Sequence, residues 1–276
     1  MPLQEMTVAD IGSGTGSSVA SLARHAKRAV GYEINPDAAE VAKDRLRILG
    51  ISNAEIRVVS PEETVDRIRE DFPDGVKVLT LIAVLEHMTP TERIAFLSDV
   101  WSALAPGGGL VVYETPNRLT YWDYHSSWLP FFHMLPVEIM NRYASRSARA
   151  GFKDLPFITM SPESIFRWGF GISFHEFEIA IPEYPIDDIL VADGYESEPM
   201  SCWPVTDEER LLAQYFVSKP IEKPLGFSRD VLNIILRKPW PSVQCFNRAH
   251  SPEWIEWAFE YYKMPEGAAA RVLGKW

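Results

Sequence analysis

The chain has 276 residues, 46% of them hydrophobic and 24% charged, with a formal net charge of −11 at pH 7. That length suits one large core with embellishments, or at most two small domains, and the acidic balance argues against a dedicated nucleic-acid binder, which needs Lys and Arg to release counterions from phosphates. No apolar run approaches the roughly 20 residues that cross a bilayer, and MPLQEMTVAD has no secretory pattern, so a cytoplasmic location is the expectation.

Residues 6–118 alternate strand and helix signals with the rhythm of a parallel α/β sheet. MTVADI reads as the first strand and SSVASLARHAK as the helix after it. AVGYE is the second strand, and PDAAEVAKDRLRILG the second helix, with Pro36 suited to its first turn and Gly50 to its end. AEIRVV and PEETVDRIREDF form the third pair. VKVLTLIAV is the fourth strand, and its branched run marks burial on both faces. TPTERIAFLSDVWSALAPGG reads as helix, proline stop and turn before GLVVYE, the fifth strand.

After Thr115 the rhythm breaks. Residues 117–160 are rich in aromatics, histidine and proline without a clean period. The basic run in it (Arg142, Arg146, Arg149, Lys153) reads as a solvated helix face, with a phosphate-bearing substrate as the sharper alternative. SPESIFRWGFG reads as a helix, and ISFHEFEIAI as a strand with one wet face. Residues 182–228 read as irregular and acidic, and DVLNIILRKP as the last strand. SPEWIEWAFEYYKM reads as an aromatic helix with Ser251 as N-cap and Pro252 in its first turn. Its stripe of Trp254, Trp257, Phe259, Tyr261 and Tyr262 offers a core face or a homodimer contact. Cys202 and Cys245 lie far apart, without disulfide or zinc spacing.

The most informative segment is VADIGSGTG, where an apolar run and an acid lead into Gly12, Gly14 and Gly16. A strand ending in such a loop lets a ligand press against bare backbone, because no Cβ intervenes. Glu33, closing the second strand, can accept hydrogen bonds from both hydroxyls of a ribose. The pair predicts a pocket for an adenosine-containing cofactor.

Three features narrow the choice. The spacing is Gly-x-Gly-x-Gly rather than the Gly-x-Gly-x-x-Gly of dinucleotide folds. The fourth strand runs into VLEHM (Val84–Met88), and LAPGGGLVVYETPN sets a Pro-Gly-Gly turn before strand five. In this order the segments resemble the class I S-adenosylmethionine-dependent methyltransferases, in particular the small-molecule group with a Leu-Glu-His turn after strand four. The resemblance covers residues 6–118 well and the later strands loosely.

It implies a Rossmann-like α/β fold over residues 1–238: a mostly parallel seven-stranded sheet whose last strand is antiparallel. Strands six and seven, near 172–181 and 230–237, would form an edge hairpin. Residues 119–160 and 182–228 would be substrate-capping insertions, and 239–276 a helical extension. That fold usually has closing helices before strand one, for which few residues are present here; either the true start lies upstream, or another element such as the aromatic C-terminal helix closes the site. Lys77 stands where the family usually opens strand four with an acid, away from the active end of the sheet.

The implied cofactor is S-adenosyl-L-methionine, with Asp10, Gly12, Ser13, Gly14 and Gly16 around its methionine half. Loop amides and a helix N-terminus favour its carboxylate by about 0.3–1 kcal/mol for the dipole alone. Glu33 would take the ribose hydroxyls, with Ile34 and Asn35 beside the adenine and Ile82 and Ala83 at the end of strand four. Ser60 or Glu62 would face the adenine amino group; the competing reading makes Ser60 an N-cap, since Ser-Pro-Glu recurs at 161–163 and 251–253.

The expected function is methyl transfer to a small-molecule acceptor, most simply at oxygen. The alternatives are nitrogen or carbon, a catalytically silent module that binds the cofactor, and, more weakly, a nicotinamide oxidoreductase. His87 is the candidate base because imidazole titrates near neutrality, with structural packing as the competing role. Glu86, Asn117, Tyr121, Trp122, His125 and His133 are candidate substrate contacts. No metal is expected, since Asp123, His125 and His133 match no ligand spacing. No membrane span or nucleic acid is expected as a partner.

Overall fold

The computed structural model describes residues 3–155, 161–195, 204–219 and 223–240. The aromatic stripe of 251–264 and both cysteines lie outside the described residues. Strand β1 (Thr7–Ile11) leads into helix α1 (Ser17–Ala23), β2 (Arg28–Glu33) into α2 (Pro36–Ile48), and β3 (Ala54–Val58) into α3 (Thr64–Asp71). Strand β4 (Val76–Ile82) and a 3-10 turn, Leu85–His87, precede α4 (Pro90–Ala103) and β5 (Leu104–Pro116). Beyond these lie α5 (Val137–Tyr143), α6 (Ala150–Lys153), α7 (Pro162–Phe166), α8 (Phe174–Ala180), α9 (Ile186–Ile189), β6 (Leu190–Ala192), α10 (Asp207–Val217) and β7 (Val231–Arg237).

Local chemistry explains the ends of these helices. Asn35 Oδ1 accepts from the Asp37 and Ala38 amides, and Pro36 follows it; Gly50, in the left-handed region, ends the same helix. Thr89 and Glu92 exchange side-chain and backbone hydrogen bonds ahead of α4, and Thr206 and Glu209 do the same for α10.

The strands form one sheet in the order β3-β2-β1-β4-β5-β7-β6. β1 to β5 are mutually parallel, while β7 runs antiparallel to both β5 and β6. This is a Rossmann-like α/β fold, a mostly parallel seven-stranded sheet whose last strand is antiparallel, as the resemblance implied. Alternation along the strands sorts the core into two faces. Val8, Val78 and Val111 pack with Val19, Ala39 and Ala42 of α1 and α2. Ala9, Leu79 and Leu110 pack with Ile68, Leu97, Val100 and Phe177 on the other side. A third cluster, including Phe132, Met140, Phe152, Ile165 and Phe170, gives the segment after β5 its own small core.

Three expectations need correction. ISFHEFEIAI is a helix, and the edge strand paired with β7 is Leu190–Ala192. Phe174, Phe177 and Ala180 bury one helical face, and Glu176 accepts from the Ser173 amide at 3.0 Å, so the apparent alternation is a helical face with a capped start. Residues 182–228 are not irregular throughout, since they hold α9, β6 and α10. The Pro-Gly-Gly turn lies inside β5, where the pairing with β4 jumps from Val76–Leu104 to Val78–Gly109.

Candidate functional site

β1 lies between β2 and β4, so the chain reverses direction across the sheet at its C-terminal end, where ligands of open α/β folds bind. The glycine loop sits there. Gly12, Gly14 and Gly16 all have positive φ, at 70°, 51° and 79°. A Cβ on Gly12 would lie 2.6 Å from Val84, and one on Gly16 would lie 2.8 Å from Ala42, so both are fixed by packing. A Cβ on Gly14 would meet no atom within 4 Å. That position opens outward.

The loop is tied to the tip of β2. The Gly12 and Ser13 amides donate to the Tyr32 carbonyl at 2.8 and 3.2 Å. Glu33 is buried, and its carboxylate accepts from the Gly14 amide at 2.6 Å and the Asn35 amide at 2.8 Å. Ile34, next in sequence, is 60% exposed. Asn35 spends its side-chain oxygen on capping α2. Ser13 Oγ is buried without a partner among the described residues.

Asp10 is interior. Its carboxylate accepts from the hydroxyls of Ser18 and Thr80, bracing β1 against α1 and β4, and burial pushes its carboxyl up to about 6. At the end of β3, Ser60 donates to Glu63 at 2.8 Å and Glu62 is exposed. Glu63 holds the N-cap position of α3, so Ser60 is not that cap.

β4 ends half-buried at Ile82, and Ala83 then takes φ 52° while its amide donates to the Tyr113 carbonyl. Glu114, beyond Tyr113, has φ 56° at the irregularity in the β5–β7 pairing. Two residues with side chains in the left-handed region, both facing one cavity, mark local strain of the kind that clusters at functional sites.

That cavity encloses about 400 Å³, and Ala83, Glu114, Trp122, His125, His133 and Asp230 are among its walls. Of the expected substrate contacts it brings together Asn117, Trp122, His125 and His133. Tyr121, Glu86 and His87 are not on its wall. Asn117 is spent on structure: its amide donates to the Phe227 and Arg229 carbonyls, each at 2.8 Å, and its oxygen accepts from Leu119. Asp123 organises the roof by accepting from the amides of His125, Ser126 and Ser127. His133 Nε2 lies 3.1 Å from the same carboxylate. These bonds outweigh burial and hold Asp123 well below the usual carboxylate range.

Sequence reasoning passed over Glu114, Asp230 and Gly169. Gly169 has φ 104°, and a Cβ there would run into the His125 ring. His125 Nδ1 is 3.1 Å from the Gly169 carbonyl, and His87 Nδ1 is 3.1 Å from the Arg167 carbonyl. A carbonyl only accepts, so each Nδ1 carries the proton and a neutral ring leaves Nε2 with its lone pair.

Glu86 stands apart. It is fully buried, neither carboxylate oxygen has a partner among the described residues, and burial pushes its carboxyl up to about 7. An acid protonated more readily in the folded state contributes most stability below its unfolded value, and loses it as pH rises through the folded one. Stability should therefore fall between about pH 4.5 and pH 7, by on the order of 3 kcal/mol from this group. Thermal melting of Glu86→Gln across that window should show a flatter profile than the parent; parallel profiles would contradict the assignment.

A family model for a methyltransferase domain matches residues 8–108. Its matched span runs from β1 into β5 and holds the glycine loop, Glu33 and the Leu-Glu-His turn. No curated protein matches the chain. Among solved structures, an rRNA methylase from Streptococcus thermophilus is 20% identical over 41% of this chain and 64% of its own, with a TM-score of 0.35. Phosphoethanolamine N-methyltransferase 1 of Haemonchus contortus, solved with phosphoethanolamine and S-adenosylhomocysteine, is 17% identical over 42% and 23%, with a TM-score of 0.35. The N-methyltransferase NodS of Bradyrhizobium japonicum, in complex with S-adenosylhomocysteine, is 21% identical over 39% and 51%, with a TM-score of 0.33. The chain thus spans less than two thirds of each of these proteins. Among the described residues, no helix is long and apolar enough to cross a membrane.

Proposed function

We propose that the protein takes S-adenosylmethionine as methyl donor and delivers the methyl group to an oxygen of a small-molecule acceptor. One observation carries the reading: Gly14 opens onto free space while its amide is held by the buried carboxylate of Glu33. The residues present suit the donor. Each Glu33 oxygen keeps a further lone pair for a ribose hydroxyl, Ile34 offers apolar surface for an adenine, and Ser13 has an unused buried hydroxyl for the methionine end. Bound there, the donor supplies a methyl group activated by its sulfonium.

The chain's own contribution is orientation, since a nucleophile held about 3 Å from its target gains most of the proximity advantage. The cavity beyond Ala83 supplies the walls. His125 lines it, whereas His87 faces a separate outer cleft. Burial lowers the His125 pKa, which keeps Nε2 neutral and able to take the acceptor's proton near pH 7. We therefore assign the base role to His125 in preference to His87. A second reading has specific support: Glu114 and Asp230 on the wall suit an amine, with burial and then Glu209 pushing the Asp230 carboxyl up to about 7.

Calorimetric titration with S-adenosylmethionine tests the reading in the parent and in Gly14→Ala. The added methyl meets no protein atom, so folding loses only the left-handed penalty of roughly 1–2 kcal/mol. Affinity should drop at least about tenfold, that is by 1.4 kcal/mol or more. Methyl release against pools of alcohols and amines then identifies the acceptor atom. Turnover on amines alone would move the acceptor to nitrogen, and binding without turnover would favour a silent module. Tight NADH binding with no affinity for S-adenosylmethionine would overturn the reading altogether.

A further inference from the structure

Beyond the acceptor cavity lies an open cleft of about 560 Å³ lined by His87, His125, Arg149, Ser164, Arg167 and Trp168. Its lining holds two guanidinium groups, two imidazoles and a hydroxyl and, among the described residues, no carboxylate. In a chain of net charge −11 a pair of guanidinium groups facing one cleft runs against the trend. Of the basic run noted in the sequence, only Arg149 reaches it; Arg142, Arg146 and Lys153 are exposed elsewhere.

The two arginines are positioned but not used up. Arg149 Nη1 donates to the His125 and Ser126 carbonyls, the latter at 2.9 Å, which leaves Nε and Nη2 without partners among the described residues. Arg167 Nη2 pairs with Glu92 at 2.5 Å, and its Nη1 reaches the His87 carbonyl at 3.5 Å. The Glu92 pair is solvent-exposed, so it holds the side chain in place at little energetic gain. His125 forms part of the wall of both the cleft and the inner cavity.

We propose that this cleft is an anion subsite that takes the phosphate group of the acceptor, while the acceptor's reacting end passes His125 into the inner cavity. The proposal rests on the methyltransferase reading for its account of the inner cavity; the cleft's affinity for phosphate is independent of it. Guanidinium forks match phosphate oxygens, and hydrogen bonds between ionised partners are about twice as strong as neutral ones. A single pocket of this kind on an acidic chain suits a small phosphate ester rather than a polyanion, which needs a basic track along its backbone.

The test titrates inorganic phosphate into the full chain by calorimetry, with S-adenosylhomocysteine titrated in parallel. Phosphate should bind in the millimolar range or tighter. Arg149→Gln and Arg167→Gln should each weaken it about tenfold, equal to 1.4 kcal/mol, Arg167→Lys should lose less, and S-adenosylhomocysteine affinity should hold in all three. Melting curves identify any variant that fails to fold, and the remaining arginine then carries the test. If folded protein that binds S-adenosylhomocysteine ignores phosphate, or binds it equally well in every variant, the subsite is refuted and the functional reading survives. If S-adenosylhomocysteine fails to bind while phosphate binding depends on both arginines, the subsite stands and the functional reading falls. A short single-stranded RNA that outcompetes phosphate with a log–log salt slope of several units, at about 0.7 per contact, would replace the small ester with a polyanion.

Discussion

Replacing Arg93 by alanine should lower the unfolding free energy by about 3–5 kcal/mol, because it strands a buried carboxylate. Arg93 is fully buried on α4. Its Nε and Nη2 donate to the two Glu176 oxygens at 2.6 and 3.2 Å. Nη1 reaches the carbonyls of Phe170 at 2.9 Å, Gly171 at 3.3 Å and Leu85 at 3.4 Å. One side chain thus joins the turn after β4 to the roof segment and α8. In a domain whose total stability is roughly 5–15 kcal/mol, the loss should appear as a drop in melting temperature of about 10 °C. Removing both charges in Arg93→Met/Glu176→Leu should recover part of it, as replaced buried pairs often do. Recovery stays incomplete, because the Phe170 carbonyl and the Ser173 amide still lose their partners. A melting temperature for Arg93→Ala within a degree or two of the parent would show that the pair contributes little.

Glu33→Ala should be the most damaging single change to donor binding. Two hydrogen bonds from ribose hydroxyls to an ionised acceptor contribute about 1.5–3 kcal/mol each, so affinity should fall at least about 100-fold. The carboxylate also holds the Gly14 and Asn35 amides, so the change frees the loop as well as removing the acceptor. Glu33→Gln separates these effects. The neutral amide keeps an acceptor for one backbone N–H but loses the charge, and its deficit should fall between those of parent and alanine. Calorimetry with S-adenosylmethionine gives the ranking, and equal affinity in all three proteins would remove Glu33 from the site.

Local periodicity made the first five strands and their helices legible, because a parallel strand buried on both faces needs an apolar run, and two of the helices, α2 and α4, carry a start signal within four residues. Asn35-Pro36 and Thr89-x-x-Glu92 are such signals. Thr206-x-x-Glu209 is another, present in the sequence but obscured by its acidic surroundings. The segment at 174–180 misled because spaced aromatics suit either period. A capping bond at Ser173 and the pull of Arg93 on Glu176, 83 residues away, settle it as helix.

The glycine loop, the acid at the tip of β2 and the α/β rhythm were therefore determined by sequence alone, since each rests on chemistry within a few residues. The acceptor side was not. Ala83 and Glu114 enter the left-handed region without being glycine or asparagine, Gly169 makes room for an imidazole 44 residues away, and Asp230 arrives from the start of β7. Only the folded sheet and its roof bring Ala83, Glu114, His125 and Asp230 to one wall, because contacts between distant segments, and no local preference, hold them there.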